Sequence, residues 1–218
     1  MTTPTPVLFI PGRRPHTSWQ PWRDLFEARG FAPIEPGGPV TPRGPVTPGG
    51  PVTPGGPGAA GELIEPGGSG ALITPGEPAA GLGDVAEYYA RIIADLPAAP
   101  VIVGHAFGGL LTQKLLCSGL GRAGVAISPA PFVVPEPGEA PIVDIASTAR
   151  GPLLLISGQL DQDVPDAVTR ATYRLYGDSA ATTDLKQFAD RGHSLTTDAG
   201  WRAVADYVLG WLCRQGIK

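Results

Sequence analysis

The sequence predicts an α/β fold with three layers, in which a mostly parallel central sheet carries helices on both faces. Short apolar runs rich in β-branched residues alternate along the chain with segments whose apolar residues recur every 3.6 positions. The clearest run, at residues 101–103, passes through a glycine-rich turn directly into a helical pattern. A chain of 218 residues is long enough for one domain with a substantial core.

The elements follow one another in strand–helix order. The predicted strands lie at residues 7–10, 31–34, 101–103, 124–127, 153–156 and 185–188. The amphipathic helical stripes lie at residues 19–29, 85–96, 110–116, 168–175 and 201–212. This order of elements is typical of an α/β fold.

Residues 36–81 interrupt the pattern with a proline- and glycine-rich insertion. Proline stands at every third position over residues 33–57, and Pro-Gly-Gly-Pro-Val-Thr repeats there with a period of six. The period of three matches polyproline II, whereas a collagen helix would need glycine at every third position. We expect a disordered or loosely extended insertion within a single domain over residues 1–218. The repeated P-x-x-P pattern over residues 36–57 also allows a peptide-type contact with an aromatic groove.

Charge and hydropathy exclude several classes of partner. The net charge is -4, with 16 basic and 20 acidic residues, so no basic surface for nucleic acid is expected. No apolar run has the length of a membrane span, and the first residues lack a charged region followed by an apolar stretch. These features predict a cytoplasmic protein with no membrane partner. Cys117 and Cys213 are expected as reduced thiols, with a disulfide left open, and neither a cofactor motif nor a metal-ligand cluster is visible.

The turn after the third strand reads Gly104-His105-Ala106-Phe107-Gly108. A strand, a G-x-x-x-G turn and a helix in this order form the layout of a nucleophile elbow, which holds the attacking serine at its centre. The glycines are needed because a Cβ at either position would strike the adjoining strand or helix. The central residue here is Ala106, which has no nucleophilic atom.

Three separate stretches of the chain resemble the α/β-hydrolase family, in particular its serine esterases and lipases. They lie at residues 101–116, 158–165 and 192–211, and the resemblance extends over most of the chain outside the insertion. Many family members carry a helical cap over the site between two later strands. The corresponding segment here, residues 128–152, is short and proline-rich, so we expect a minimal version without a cap and with an open pocket.

The resemblance implies a catalytic triad of three positions. Ala106 stands at the nucleophile position, Asp161 at the position of the acid in a G-x-x-D-x-x-V-P segment, and His193 at the position of the base. Asp163, two residues beyond Asp161, is the competing candidate for the acid. The chain order of elbow, acid and histidine is the order found in this fold.

Further site residues are expected around the triad. The resemblance implies an oxyanion hole formed by the backbone N–H groups of Arg13, after the first strand, and of Phe107, at the start of a helix. His16, Trp19 and His105 are candidate substrate contacts.

The alanine leaves several functional hypotheses open. With a serine in its place, His193 would act as the base and Asp161 would orient it, on a small carboxylic ester or amide as substrate. Without the serine no acyl-enzyme is expected. The chain is then a hydrolase whose serine was deliberately replaced, a natural ligand binder without catalysis, a lyase- or oxygenase-like enzyme that uses the His193–Asp161 dyad as a base, or a synthetic or computationally generated sequence.

Overall fold

The computed structural model describes residues 3–12, 18–37, 82–132 and 141–218. The expectations for Arg13, His16 and most of the proline-rich insertion lie outside these residues. These residues form six strands: β1 Pro6–Ile10, β2 Ala32–Ile34, β3 Val101–His105, β4 Ala123–Ile127, β5 Leu153–Gly158 and β6 Thr183–Phe188. They form one sheet in the order β2-β1-β3-β4-β5-β6. The sequence predicted a mostly parallel sheet, and every strand pair in the described residues is parallel.

The described part of the chain also forms five helices: α1 Gln20–Glu27, α2 Leu82–Ala94, α3 Phe107–Cys117, α4 Asp166–Leu175 and α5 Trp201–Arg214. All six predicted strands and all five predicted helices are confirmed in kind and place. The fold class predicted from the sequence is therefore correct.

The hydrophobic core lies in two clusters, one on each face of the sheet. Alternate residues of a strand point to opposite faces, so Phe9 of β1 packs into the first cluster, whereas Leu8 and Ile10 pack into the second. The first cluster is closed by α1 and α5, and the second by α2 and α3. This sandwich of helices, sheet and helices accounts for the three layers.

Trp19 belongs to the first cluster and is fully buried. The centre of its ring lies 5.1 Å from that of Phe9 and 5.3 Å from that of Trp22. Aromatic pairs at such separations contribute packing energy beyond the area they bury. The expectation that Trp19 contacts substrate is therefore wrong, because its side chain is a core packing residue.

Two further expectations concern the thiols and the membrane. Cys117 is buried and Cys213 is exposed, and both are free thiols. Among the described helices, none is both long and apolar enough to cross a bilayer.

Candidate active site

The elbow between β3 and α3 is built as the sequence predicts, with alanine at its tip. Ala106 has φ 52° and ψ −114°, a conformation that residues with a Cβ rarely adopt. Its N–H donates to the carbonyl of Ile127 at 2.9 Å. Its own carbonyl accepts from the N–H groups of Gly109 at 3.0 Å and Ala130 at 2.9 Å. These bonds hold the strained residue from both sides.

The two glycines of the elbow have no room for a side chain. A Cβ on Gly104 would lie 2.0 Å from the carbonyl oxygen of Gly108. A Cβ on Gly108 would lie 2.2 Å from the carbonyl oxygen of Ile10, at the end of β1. Both distances are far below contact, so the steric reason given for these glycines from the sequence is confirmed.

The loops after β5 and β6 bring Asp161 and His193 together. Nδ1 of His193 lies 2.9 Å from Oδ2 and 3.1 Å from Oδ1 of Asp161. Oδ1 also accepts from the backbone N–H groups of Asp163 at 2.9 Å and Val164 at 2.8 Å. A carboxylate accepts hydrogen bonds, so Nδ1 carries the proton and Nε2 of a neutral His193 carries the lone pair.

The charge state of Asp161 follows from its surroundings. Burial by itself would raise the pKa of this carboxyl group, because it disfavours the charged form. The hydrogen bonds from His193 and from the Val164 N–H act in the opposite direction and prevail, so the pKa of Asp161 is lowered. The carboxylate is therefore ionised at neutral pH and can stabilise a positive charge on His193.

His105 ties the histidine loop to the elbow. It is the last residue of β3, and its Nε2 lies 2.9 Å from the carbonyl oxygen of His193. The two imidazole rings have their centres 4.6 Å apart. Because Ala106 is the next residue, this contact brings His193 beside the nucleophile position. His105 is only 5% exposed, so it contacts His193 rather than offering a surface to substrate, contrary to expectation.

The competing acid occupies a different position. Oδ2 of Asp163 lies 3.9 Å from Nε2 of His193, on the nitrogen opposite the one that Asp161 engages. The Asp163 side chain is 38% exposed, whereas that of Asp161 is fully buried. Of the two, only Asp161 is placed to orient the imidazole through Nδ1.

The expected oxyanion donors can be compared with the structure only in part. Phe107 is the first residue of α3 and directly follows the nucleophile position. Arg13 lies outside the described residues. Its neighbour Gly12 packs against the elbow, since a Cβ on Gly12 would lie 3.5 Å from the Cβ of Ala106. The turn after β1 therefore reaches the nucleophile position.

The contact between His105 and the His193 carbonyl was missed by sequence reasoning. The two residues stand 88 positions apart, and no local pattern signals such a bond.

In the parts of the chain that the structure describes, His, Cys, Asp and Glu side chains form no group of three or more that could hold a metal ion.

No model of a known protein family and no curated protein sequence matches this chain. Solved structures do match over nearly its whole length. A monoacylglycerol lipase from Paleococcus ferrophilus is 16% identical with a TM-score of 0.62, and the match covers 96% of this chain and 95% of the lipase. Arabidopsis thaliana SOBER1 is 18% identical with a TM-score of 0.63, over 95% of this chain and 99% of SOBER1.

Esterase 2 from Thermogutta terrifontis, solved after phosphorylation by paraoxon, is 15% identical with a TM-score of 0.66, over 98% of this chain and 84% of the esterase. Identities this low establish a shared fold and nothing finer. The six-stranded parallel sheet, its helical layers and these similarities together show that the chain has the α/β-hydrolase fold.

Proposed function

We propose that the site is that of a serine hydrolase for small carboxylic esters, in which Ala106 occupies the place of the nucleophile. The observation that carries this proposal is the Asp161–His193 pair, hydrogen-bonded at 2.9 Å beside a strained elbow. An aspartate that orients Nδ1 leaves Nε2 as the base, which is the division of roles in a serine triad. In its present form the chain binds the ester without forming an acyl-enzyme.

The reaction that the site supports begins once a serine stands at position 106. The serine oxygen forms a bond to the ester carbonyl carbon, and Nε2 of His193 takes the hydroxyl proton. The negative charge on the carbonyl oxygen is held by the N–H of Phe107 and by a second N–H from the turn after β1, where Arg13 is the candidate. The C–O bond to the alcohol then breaks, and His193 returns the proton to the leaving oxygen.

Hydrolysis of the acyl-enzyme completes the cycle. A water molecule gives its proton to Nε2 and attacks the acyl carbon, which releases the acid and restores the serine. Asp161 stays ionised throughout and stabilises the imidazolium that forms twice per turnover. Its lowered pKa supports this role.

The alanine removes the first of these steps, the attack of the serine oxygen. Without it no acyl-enzyme forms, so the later steps cannot follow. In a serine protease, loss of the serine lowers turnover by roughly 10⁶-fold, and what remains comes from binding and the oxyanion hole. We therefore expect the unaltered chain to give no covalent adduct with an organophosphate.

The similar structures support the choice of substrate class. One of them is described as Est2 with butyrate bound, from Thermogutta terrifontis, and it is 14% identical over 98% of this chain. A short acyl chain is therefore the first substrate to test.

The experiment is to restore the nucleophile with Ala106→Ser and to measure hydrolysis of p-nitrophenyl acetate and butyrate. Ala203→Ser, on the exposed side of α5, is the matched control. We expect hydrolysis by Ala106→Ser only, its loss in Ala106→Ser/His193→Ala, and a single paraoxon adduct detected by mass. If Ala106→Ser hydrolyses no faster than Ala203→Ser, the proposed function is wrong.

A second candidate function is favoured by the intact dyad in a chain that lacks the nucleophile. His193, oriented by Asp161, could abstract a proton from a bound substrate without covalent catalysis, as a general base does. This candidate requires an activity already present in the unaltered chain and lost in His193→Ala. An activity that appears only with Ala106→Ser decides against it.

A further inference from the structure

His105 makes two distinct contacts with His193, the candidate base. Its Nε2 is 2.9 Å from the carbonyl oxygen of His193, and the two ring centres are 4.6 Å apart with an angle of 48° between the planes. The first contact fixes the backbone of His193. The second is a tilted contact between the two rings.

The hydrogen bond determines which tautomer His105 adopts. A carbonyl oxygen can only accept, so the proton of His105 is on Nε2 and the lone pair is on Nδ1. Within the described residues Nδ1 is buried and has no hydrogen-bond partner. It faces the turn after β1, since a Cβ on Gly12 would lie 3.8 Å from it. A second proton would therefore be buried with no described acceptor, which keeps this ring neutral.

Burial and the neighbouring groups together lower the pKa of His105. Burial lowers the pKa of His105, and the nearby His193 lowers it further. The bond to the His193 carbonyl and the charges of Asp161 and Asp163 oppose this, and the resulting pKa is about 4. His105 thus adds no positive charge beside His193 when that ring takes up a proton.

His193 needs such support because of where it lies. It follows Gly192 in the loop after β6, and its side chain is 22% exposed. Asp161 engages only one end of the ring, through Nδ1. At the other end, Nε2 lies 3.9 Å from the Asp163 carboxylate, which is too far for a hydrogen bond, so the ring can still turn about its Nδ1 attachment. The contacts with His105 restrain this turn through the backbone carbonyl of His193 and through its ring.

We propose that His105 is a positioning residue, which fixes the backbone and the ring plane of His193 and so directs Nε2 at position 106. Its effect on turnover rests on the proposed function, but the positioning itself can be measured in the chain as it stands.

The first test is NMR of the full-length protein with ¹⁵N-labelled histidine. We expect His105 as the Nε2–H tautomer with no titration between about pH 5 and pH 8. We expect His105→Phe, which keeps a ring but has no donor, to shift or broaden the ring resonances of His193. His105→Gln, whose side-chain amide can donate to the same carbonyl, should restore them. If His105→Phe does not fold, His105→Leu takes its place.

Two results of this test would overturn the inference. One is a His105 that carries its proton on Nδ1 or titrates at an ordinary histidine pKa. The other is a set of His193 ring resonances with the same positions and widths in the unaltered chain and in a folded His105→Phe variant.

The second test measures turnover in the Ala106→Ser background. Loss of one hydrogen bond to a positioned group should lower kcat about tenfold in His105→Phe, with KM changed less than about twofold. His105→Gln should retain kcat within about threefold. An equal kcat for folded His105→Phe and His105→Gln, close to that of the parent, refutes positioning while the hydrolase proposal stands. An inactive Ala106→Ser parent refutes the hydrolase proposal, and the NMR test then decides on positioning alone.

Discussion

Replacing Ala106 with glycine should stabilise the protein, although alanine-to-glycine changes usually destabilise. Ala106 has φ 52° and ψ −114°, and it stays there because its N–H and carbonyl are held by β4, by the segment after β4 and by α3. Glycine reaches positive φ without the clash that a Cβ causes. The prediction therefore tests whether strain is stored in the elbow even though the nucleophile is absent.

The expected size follows from two opposing effects. A non-glycine residue in so sparsely populated a conformation costs about 1–3 kcal/mol. Glycine removes this cost, but it also lowers the free energy of unfolding by roughly 0.5–1 kcal/mol, because the unfolded chain gains conformational freedom. The net gain in the free energy of unfolding is about 1 kcal/mol, which raises Tm by roughly 2–4 °C in a protein of this size.

Urea denaturation followed by circular dichroism measures the change. The matched control is Ala203→Gly, on the exposed face of α5, which should lose about 1 kcal/mol because glycine is a poor helix former. Opposite signs for the same chemical change are the expected outcome. If Ala106→Gly lowers the free energy of unfolding as much as Ala203→Gly does, the elbow stores no strain.

Two more predictions concern a glycine and a histidine of the site. Gly104→Ala should lower the free energy of unfolding by more than about 3 kcal/mol in urea denaturation, because its Cβ would lie 2.0 Å from a backbone oxygen that cannot move freely. The control is Gly210→Ala inside α5, where the nearest atom would be 3.6 Å from the new Cβ. This change should leave the free energy of unfolding unchanged or raise it by up to about 1 kcal/mol. The folded pKa of His105 is about 4, below its ordinary value of 6.5, so as the pH falls the unfolded chain takes up this proton first. Stability is therefore full above about pH 6.5 and falls by roughly 3 kcal/mol between there and about pH 4. His105→Gln should flatten that part of the pH profile, and an unchanged slope would assign the proton to another group.

The fold could be predicted almost entirely because its signals are local. Each strand is a short apolar run, each helix has a regular stripe, and the boundaries are set by Gly, Pro and polar residues. The elbow could be predicted for the same reason. Its glycines are fixed by contacts within one turn and with the end of β1.

The details that escaped prediction depend on contacts between distant segments. Trp19 stands at the start of α1 beside a loop, which suggests access to a pocket, but Phe9 and Trp22 enclose it in the core. His105 lies within the elbow motif, which suggests a substrate contact, but its ring is occupied by the His193 loop. Sequence pattern places a residue on an element, whereas its neighbours across the sheet decide what it touches.

Asp161 and His193 differ in how far along the chain their supports lie. The carboxylate is held by N–H groups two and three residues away, in the same loop. The imidazole of His193 is hydrogen-bonded across 32 residues to Asp161, and its backbone carbonyl accepts a hydrogen bond across 88 residues from His105. Short-range contacts can form early and survive partial opening, whereas long-range ones require the whole topology to be closed. The alignment of His193, rather than that of Asp161, therefore reports whether the molecule has completed its fold.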